Sequence, residues 1–157
     1  MLWLCWIVLV LSGTGIIYQD LKTRLISLWL ILIFAAANIL QYLLLYSCYQ
    51  LLENTIFCTC YFLFTFLVLV LFYYLKNKRF EKIMDSKLGW GDVFVFMAIG
   101  VCIEPAHLIF FFTGSFIISI IIYFFFLRSK VFIPLAGLII PCYLLYVVFE
   151  HICRFSS

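Results

Sequence analysis

Residues 56–75 read IFCTCYFLFTFLVLVLFYYL, twenty consecutive positions without a charged side chain. An α-helix rises about 1.5 Å per residue, so this stretch covers about 30 Å, the thickness of a bilayer's hydrocarbon core. A soluble helix of that length turns a polar face to water, and this one has none to turn. The rest of the chain agrees. Of its 157 residues, 68% are hydrophobic and 11% charged, too few polar groups to cover a soluble surface. Further apolar runs occupy residues 2–19, 26–46, 107–127 and 131–149. A sixth, 92–103, reaches a plausible span only by taking in Leu88–Gly91 and ending at Glu104-Pro105. The expectation is an all-α, polytopic membrane protein of about six transmembrane helices, the fourth short or broken. It forms one membrane-embedded domain over residues 1–157. The first run is read as a retained helix, because it has neither a basic n-region nor a small-residue cleavage site.

The basic residues orient the helices. Lys22 and Arg24 lie between the first two runs, Lys76, Lys78, Arg79, Lys82 and Lys87 between the third and fourth, and Arg128 and Lys130 between the last two. In a six-helix chain these connections share one side. The opposite connections carry Glu53, Glu104 and His107 but no Lys or Arg. Only Arg154, near the C-terminus, breaks the pattern, and the positive-inside rule puts the basic connections in the cytoplasm and both termini outside. The stretch 76–88, KNKRFEKIMDSKL, is either a solvated loop or a short interfacial helix with Phe80, Ile83 and Met84 toward lipid. The basic residues form no face interleaved with aromatics, so no nucleic-acid partner is expected.

Ionisable groups near membrane depth are the first place to seek function. Asp20 ends the first run, and Asp92 opens the fourth within Gly89-Trp90-Gly91-Asp92. The topology puts both on the cytoplasmic side at similar depth, so helix packing can bring them together. Two carboxylates in one site do not both ionise easily. The charged one then draws a proton from water while the neutral one polarises a peptide carbonyl, the chemistry of an aspartic peptidase. That chemistry needs neither metal nor cofactor. Asp92 at a helix N-terminus is expected to carry the charge, and Asp20 near a C-terminus to hold the proton. Gly89 and Gly91 are expected to bend the chain at Asp92 and admit a substrate strand.

Other polar residues have plainer readings. The seven cysteines lie almost all within apolar runs, as small apolar filler, and complete no metal site. His107, Glu150 and His151 read as interfacial or solvated, and Trp3, Trp6 and Trp29 as interfacial or packing aromatics.

Three segments together resemble the type IV prepilin peptidases, a family of GxGD membrane aspartyl peptidases. Asp20-Leu21-Lys22-Thr23-Arg24-Leu25-Ile26-Ser27 is similar to the family's Asp, basic residues and Ile-Pro; Gly89-Trp90-Gly91-Asp92-Val93 to its Gly-x-Gly-Asp-Val-Lys; Ile133-Pro134-Leu135-Ala136 to its Ile-Pro-Phe-Gly-Pro. They span residues 20–137 in the family's order. Ser27, Phe94 and Gly137 depart from it, standing where Pro, Lys and the second Pro are usual. The resemblance implies catalysis by Asp20 and Asp92, with Lys22, Gly89, Gly91 and Pro134 positioning substrate. The implied substrate is a prepilin or pseudopilin, cut after Gly between a short basic leader and an apolar helix. The paired CxxC motifs of the family's zinc-binding N-terminal region, linked to N-methylation, are absent from this sequence, which resembles a minimal peptidase core. Lys22 and the 76–88 stretch would then meet the leader or anionic lipid headgroups, the basic leader favouring the headgroups.

Two other classes fit the same residues. In a non-catalytic membrane subunit of a secretion or transport assembly, the aspartates would pair with Lys22 or Lys87 and set helix register. In a small transporter they would line a proton path, although no acid sits at mid-membrane.

Overall fold

The computed structural model describes residues 2–23, 25–77, 89–126 and 135–156. The described residues form six α-helices: α1 (Leu2–Lys22), α2 (Leu28–Leu45), α3 (Cys48–Asn77), α4 (Trp90–Gly100), α5 (Pro105–Phe126) and α6 (Leu135–Ser156). The expected all-α, multi-helix membrane architecture is what is found. Four of the helices are long and apolar enough to cross a bilayer, α1, α2, α3 and α5. The apolar stretches of α4 and α6, Trp90–Gly100 and Leu135–Glu150, are shorter. The short fourth helix was expected from its apolar run.

The largest departure from the sequence reading is α3. Its apolar run begins near residue 56, but the helix starts at Cys48 and runs for 30 residues, about 45 Å. Glu53, read as part of a connection, lies inside it. The cause is a reciprocal cap. The Gln50 N–H donates to Ser47 Oγ at 3.3 Å, and the Ser47 N–H donates to Gln50 Oε1 at 3.1 Å. This Ser-x-x-Gln pairing satisfies two otherwise orphaned backbone donors at a helix start. Only Tyr46 and Ser47 separate α2 from α3. The C-terminal turn of α4 is followed by Val101–Glu104, where Glu104 C=O accepts from the N–H groups of His107 and Leu108. Pro105 stands at the first position of α5, where its missing N–H costs nothing.

The core lies where α1, α2, α4, α5 and α6 converge. Leu9, Ile16, Phe34, Val95, Ile99, Ile103, Leu108, Ile139 and Ile140 are all completely buried. Phe34 meets Tyr143 edge-on at 6.2 Å between ring centroids, a favoured aromatic geometry. Outward-facing positions are as apolar as the core: Phe110 is 79% and Phe125 73% exposed, which suits a lipid surface and no aqueous one. Packing in lipid depends on close backbone approach. Gly100 supplies one such approach, because a Cβ there would collide with Cys58 Sγ, so α4 lies directly against α3.

The helix ends alternate between two faces of the bundle. The C-terminus of α1 and the N-termini of α2, α4 and α6 share one end. There the Ser27 N–H donates to Gln19 Oε1 at 2.8 Å, joining the start of α2 to α1. Of the stretch 76–88, read as a solvated loop or an interfacial helix, residues 76–77 end α3 and 78–88 lie outside the described residues, as do the motif residues Ile133 and Pro134.

Candidate active site

Asp20 is in the last turn of α1 and only 5% exposed. Asp92 is in the first turn of α4 and half-buried. They are seventy-two positions apart in the sequence, yet both meet the same element. The Ala136 N–H donates to Asp92 Oδ1 at 3.0 Å, and the Gly137 N–H donates to Asp20 Oδ2 at 2.6 Å. These are consecutive amides in the first turn of α6, so the two carboxylates are held side by side, each within the other's electrostatic field.

The first N–H groups of a helix have no acceptor within it. In most helices a residue just before the first turn fills that role. Here carboxylates from α1 and α4 fill it, and the hydrogen bonds are charge-assisted whenever the acceptor is ionised. The positive end of the α6 dipole adds to the attraction. It also alters the expectation about charge. The dipole of α1 on its own disfavours charge on Asp20. With α6 pointing its N-terminus at both carboxylates, the macrodipoles no longer assign the charge to Asp92 alone.

The glycines act differently from the sequence expectation. Gly89 is the N-cap of α4, with φ −75° and ψ 141°, an extended conformation open to any residue. Gly91 lies inside α4, so Asp92 sits on a regular helical turn and not on a bend. What Gly91 does provide is room, since a Cβ would stand 3.2 Å from Ile26 Cδ1. The tightest approach at the site belongs to Gly137, where a Cβ would lie 3.0 Å from Asp20 Oδ2 and 3.4 Å from Asp20 Cβ.

Lys22 is at the exposed end of α1. Its ammonium donates to the Tyr18 hydroxyl at 2.7 Å and lies 5.0 Å from the centre of the Tyr18 ring. It pairs with neither aspartate through any described salt bridge. An open cleft runs along the α1–α2 connection, lined by Tyr18, Gln19, Lys22, Thr23, Leu25, Ile26 and Ser27. Ile26 also packs against Gly91, so this cleft adjoins the Asp92 helix. Pro134 lies outside the described residues.

Sequence reasoning singled out both aspartates and missed the donors that join them. A backbone N–H has no residue-type signature, and Gly137 stood out only as a missing proline. That departure is itself informative, because a proline at 137 has no N–H to offer Asp20.

No curated protein and no solved structure gives a significant match to the chain. The model of the type IV leader peptidase family matches residues 2–125, taking in both aspartates and their helices. With that match covering most of its length, the chain belongs to the type IV leader peptidase family.

Proposed function

We propose that this protein is a membrane aspartic endopeptidase in which Asp20 and Asp92 form the catalytic dyad. The observation that carries the reading is the pairing of both carboxylates with consecutive amides of α6. Both carboxylates accept from the start of one helix, which brings them into one site. The substrate is a prepilin-like or pseudopilin-like protein, cut after Gly between a short basic leader and an apolar helix. Cleavage takes place at the cytoplasmic face of the inner membrane, the side on which the basic connections lie, with both termini outside. Lys22, at the mouth of the cleft, meets headgroups or the carbonyls of the incoming segment.

The chemistry is complete with two carboxylates and one water. The ionised aspartate takes a proton from water as its oxygen attacks the scissile carbonyl carbon. The neutral aspartate passes its proton to the carbonyl oxygen, giving a neutral tetrahedral diol. As the C–N bond breaks, the aspartate that took the water proton delivers it to the leaving nitrogen, and a diol hydroxyl gives its proton back to the other carboxylate as the C=O forms. The dyad returns to holding one proton between its two carboxylates.

The test is leader removal from a co-expressed pilin-like substrate in membranes, comparing wild type with Asp20→Asn and Asp92→Asn. Trimming by wild type and by neither variant, at equal protein levels, supports the dyad. Trimming that persists in either variant removes it. Failure of the wild type on several Gly-type leaders would leave a non-catalytic membrane subunit as the better reading.

A further inference from the structure

The end of the bundle opposite the aspartates holds a second set of buried polar groups, and the peptidase reading makes no use of them. Asn38 is 2% exposed, Gln41 3% and Asn54 3%. Two of the three are satisfied. Asn38 Nδ2 donates to the Ala98 carbonyl at 2.8 Å, and Asn38 Oδ1 accepts from the Tyr143 hydroxyl at 2.5 Å. Asn54 Nδ2 donates to the Tyr42 hydroxyl at 2.9 Å. Glu150, read from sequence as a solvated terminal residue, is half-buried here and accepts a hydrogen bond from the Tyr46 hydroxyl. Gln41 is the exception: its buried Oε1 has no hydrogen-bond partner.

Gln41 lines a cavity of about 30 Å³ together with Asn38, Tyr42, Tyr46, Tyr143 and Glu150. A water needs about 15 Å³ of such space and two to four polar partners. This cavity exceeds the first requirement and meets the second, while being too small for an organic ligand. Gln41 Oε1 and the Glu150 carboxylate are both acceptors, so a group that joins them must donate two hydrogen bonds. The Tyr42 hydroxyl accepts from Asn54, which leaves its own proton to give to an oxygen in the cavity.

We propose that this cavity is a specific site for one ordered water, held by Gln41 Oε1 and Glu150, that joins the far ends of α2 and α6. A buried amide oxygen without a donor destabilises a protein, and a bridging water removes that defect. The bridge clamps α6 at the end opposite its catalytic amides, so one helix is anchored at both ends by polar groups.

The decisive experiment is a sign test on Gln41→Leu in purified full-length protein in lipid nanodiscs. If water bridges Gln41 and Glu150, the leucine strands the water and lowers the melting temperature, by about 3 °C for a chain of this size. If the site is dry, the same change deletes an orphaned polar atom, and an unchanged or higher melting temperature overturns the proposal. A high-resolution map of the wild type gives the second readout. A peak within about 3 Å of both Gln41 Oε1 and the Glu150 carboxylate is expected. An empty site overturns the proposal, and so does an anomalous peak there after a thallium soak, which would mark a cation.

Discussion

The amide of Gly137 donates to Asp20 Oδ2 at 2.6 Å across 117 positions of sequence. This contact sets Asp20 against the start of α6, and its neighbour, Ala136 to Asp92, sets the second carboxylate there. Activity should therefore respond to three helices at once.

The aspartates themselves are the first prediction. Asp20→Asn and Asp92→Asn should each lower the rate of leader cleavage at least about a hundredfold, the lower range for losing an acid–base partner. Asn retains an oxygen that accepts from the same α6 amide. Protein levels in membranes, read by immunoblot, should therefore stay close to wild type.

Gly137→Ala places a methyl 3.0 Å from Asp20 Oδ2, so the carboxylate or the start of α6 must yield by a few tenths of an ångström. Displacements of this kind cost about tenfold to a hundredfold in rate. The loss should fall mainly on kcat, because the shift acts on the dyad and not on the cleft along α1 and α2. Gly137→Pro removes the donor as well and should be the slower variant. Steady-state cleavage of a leader peptide in nanodiscs measures both.

Gly100→Ala tests the packing of α4 on α3. The added methyl meets Cys58 Sγ, an overpacking of a kind that costs about 1–3 kcal/mol. Removing the sulfur should relieve it, so Gly100→Ala with Cys58→Ala should be more stable than Gly100→Ala alone. Thermal unfolding of the two single variants and the double variant closes the cycle.

The cap of α3 offers a surface test. Ser47 and Gln50 exchange hydrogen bonds at the first turn of a helix otherwise little buried in the bundle. Ser47→Ala should destabilise the protein by about 1 kcal/mol. Faster amide exchange should be confined to the first turns of α3, with no change at α6.

Much of the fold was legible because its cause is local. An apolar run the length of a bilayer core reads the same wherever it sits, so five long runs and one short one gave the helices, with errors at their ends. The start of α3 was misplaced by about eight residues because hydropathy was weighed and the Ser47–Gln50 cap was not. The aspartates were legible because carboxylates at the ends of apolar helices are uncommon. Glu150 was misread because a residue near the C-terminus of the sequence looks solvated until α2 is seen packed beside it. Asn38, Gln41 and Asn54 were overlooked, although amides inside apolar helices are themselves a signal of buried polar contact.

By itself, the sequence determined that the chain lies in lipid, which apolar runs form the six described helices, and which two carboxylates stand at the ends of α1 and α4. Composition and apolar length are properties of short stretches and need no partner to act. Only the tertiary structure decided that α6 would present consecutive amides to both aspartates, that a Cβ at Gly137 would crowd Asp20, and that Gln41 and Glu150 would line one small cavity. Each of these depends on backbone groups and on contacts between distant helices. Every residue type carries the same backbone N–H except proline, so such contacts leave almost no trace in the order of the amino acids.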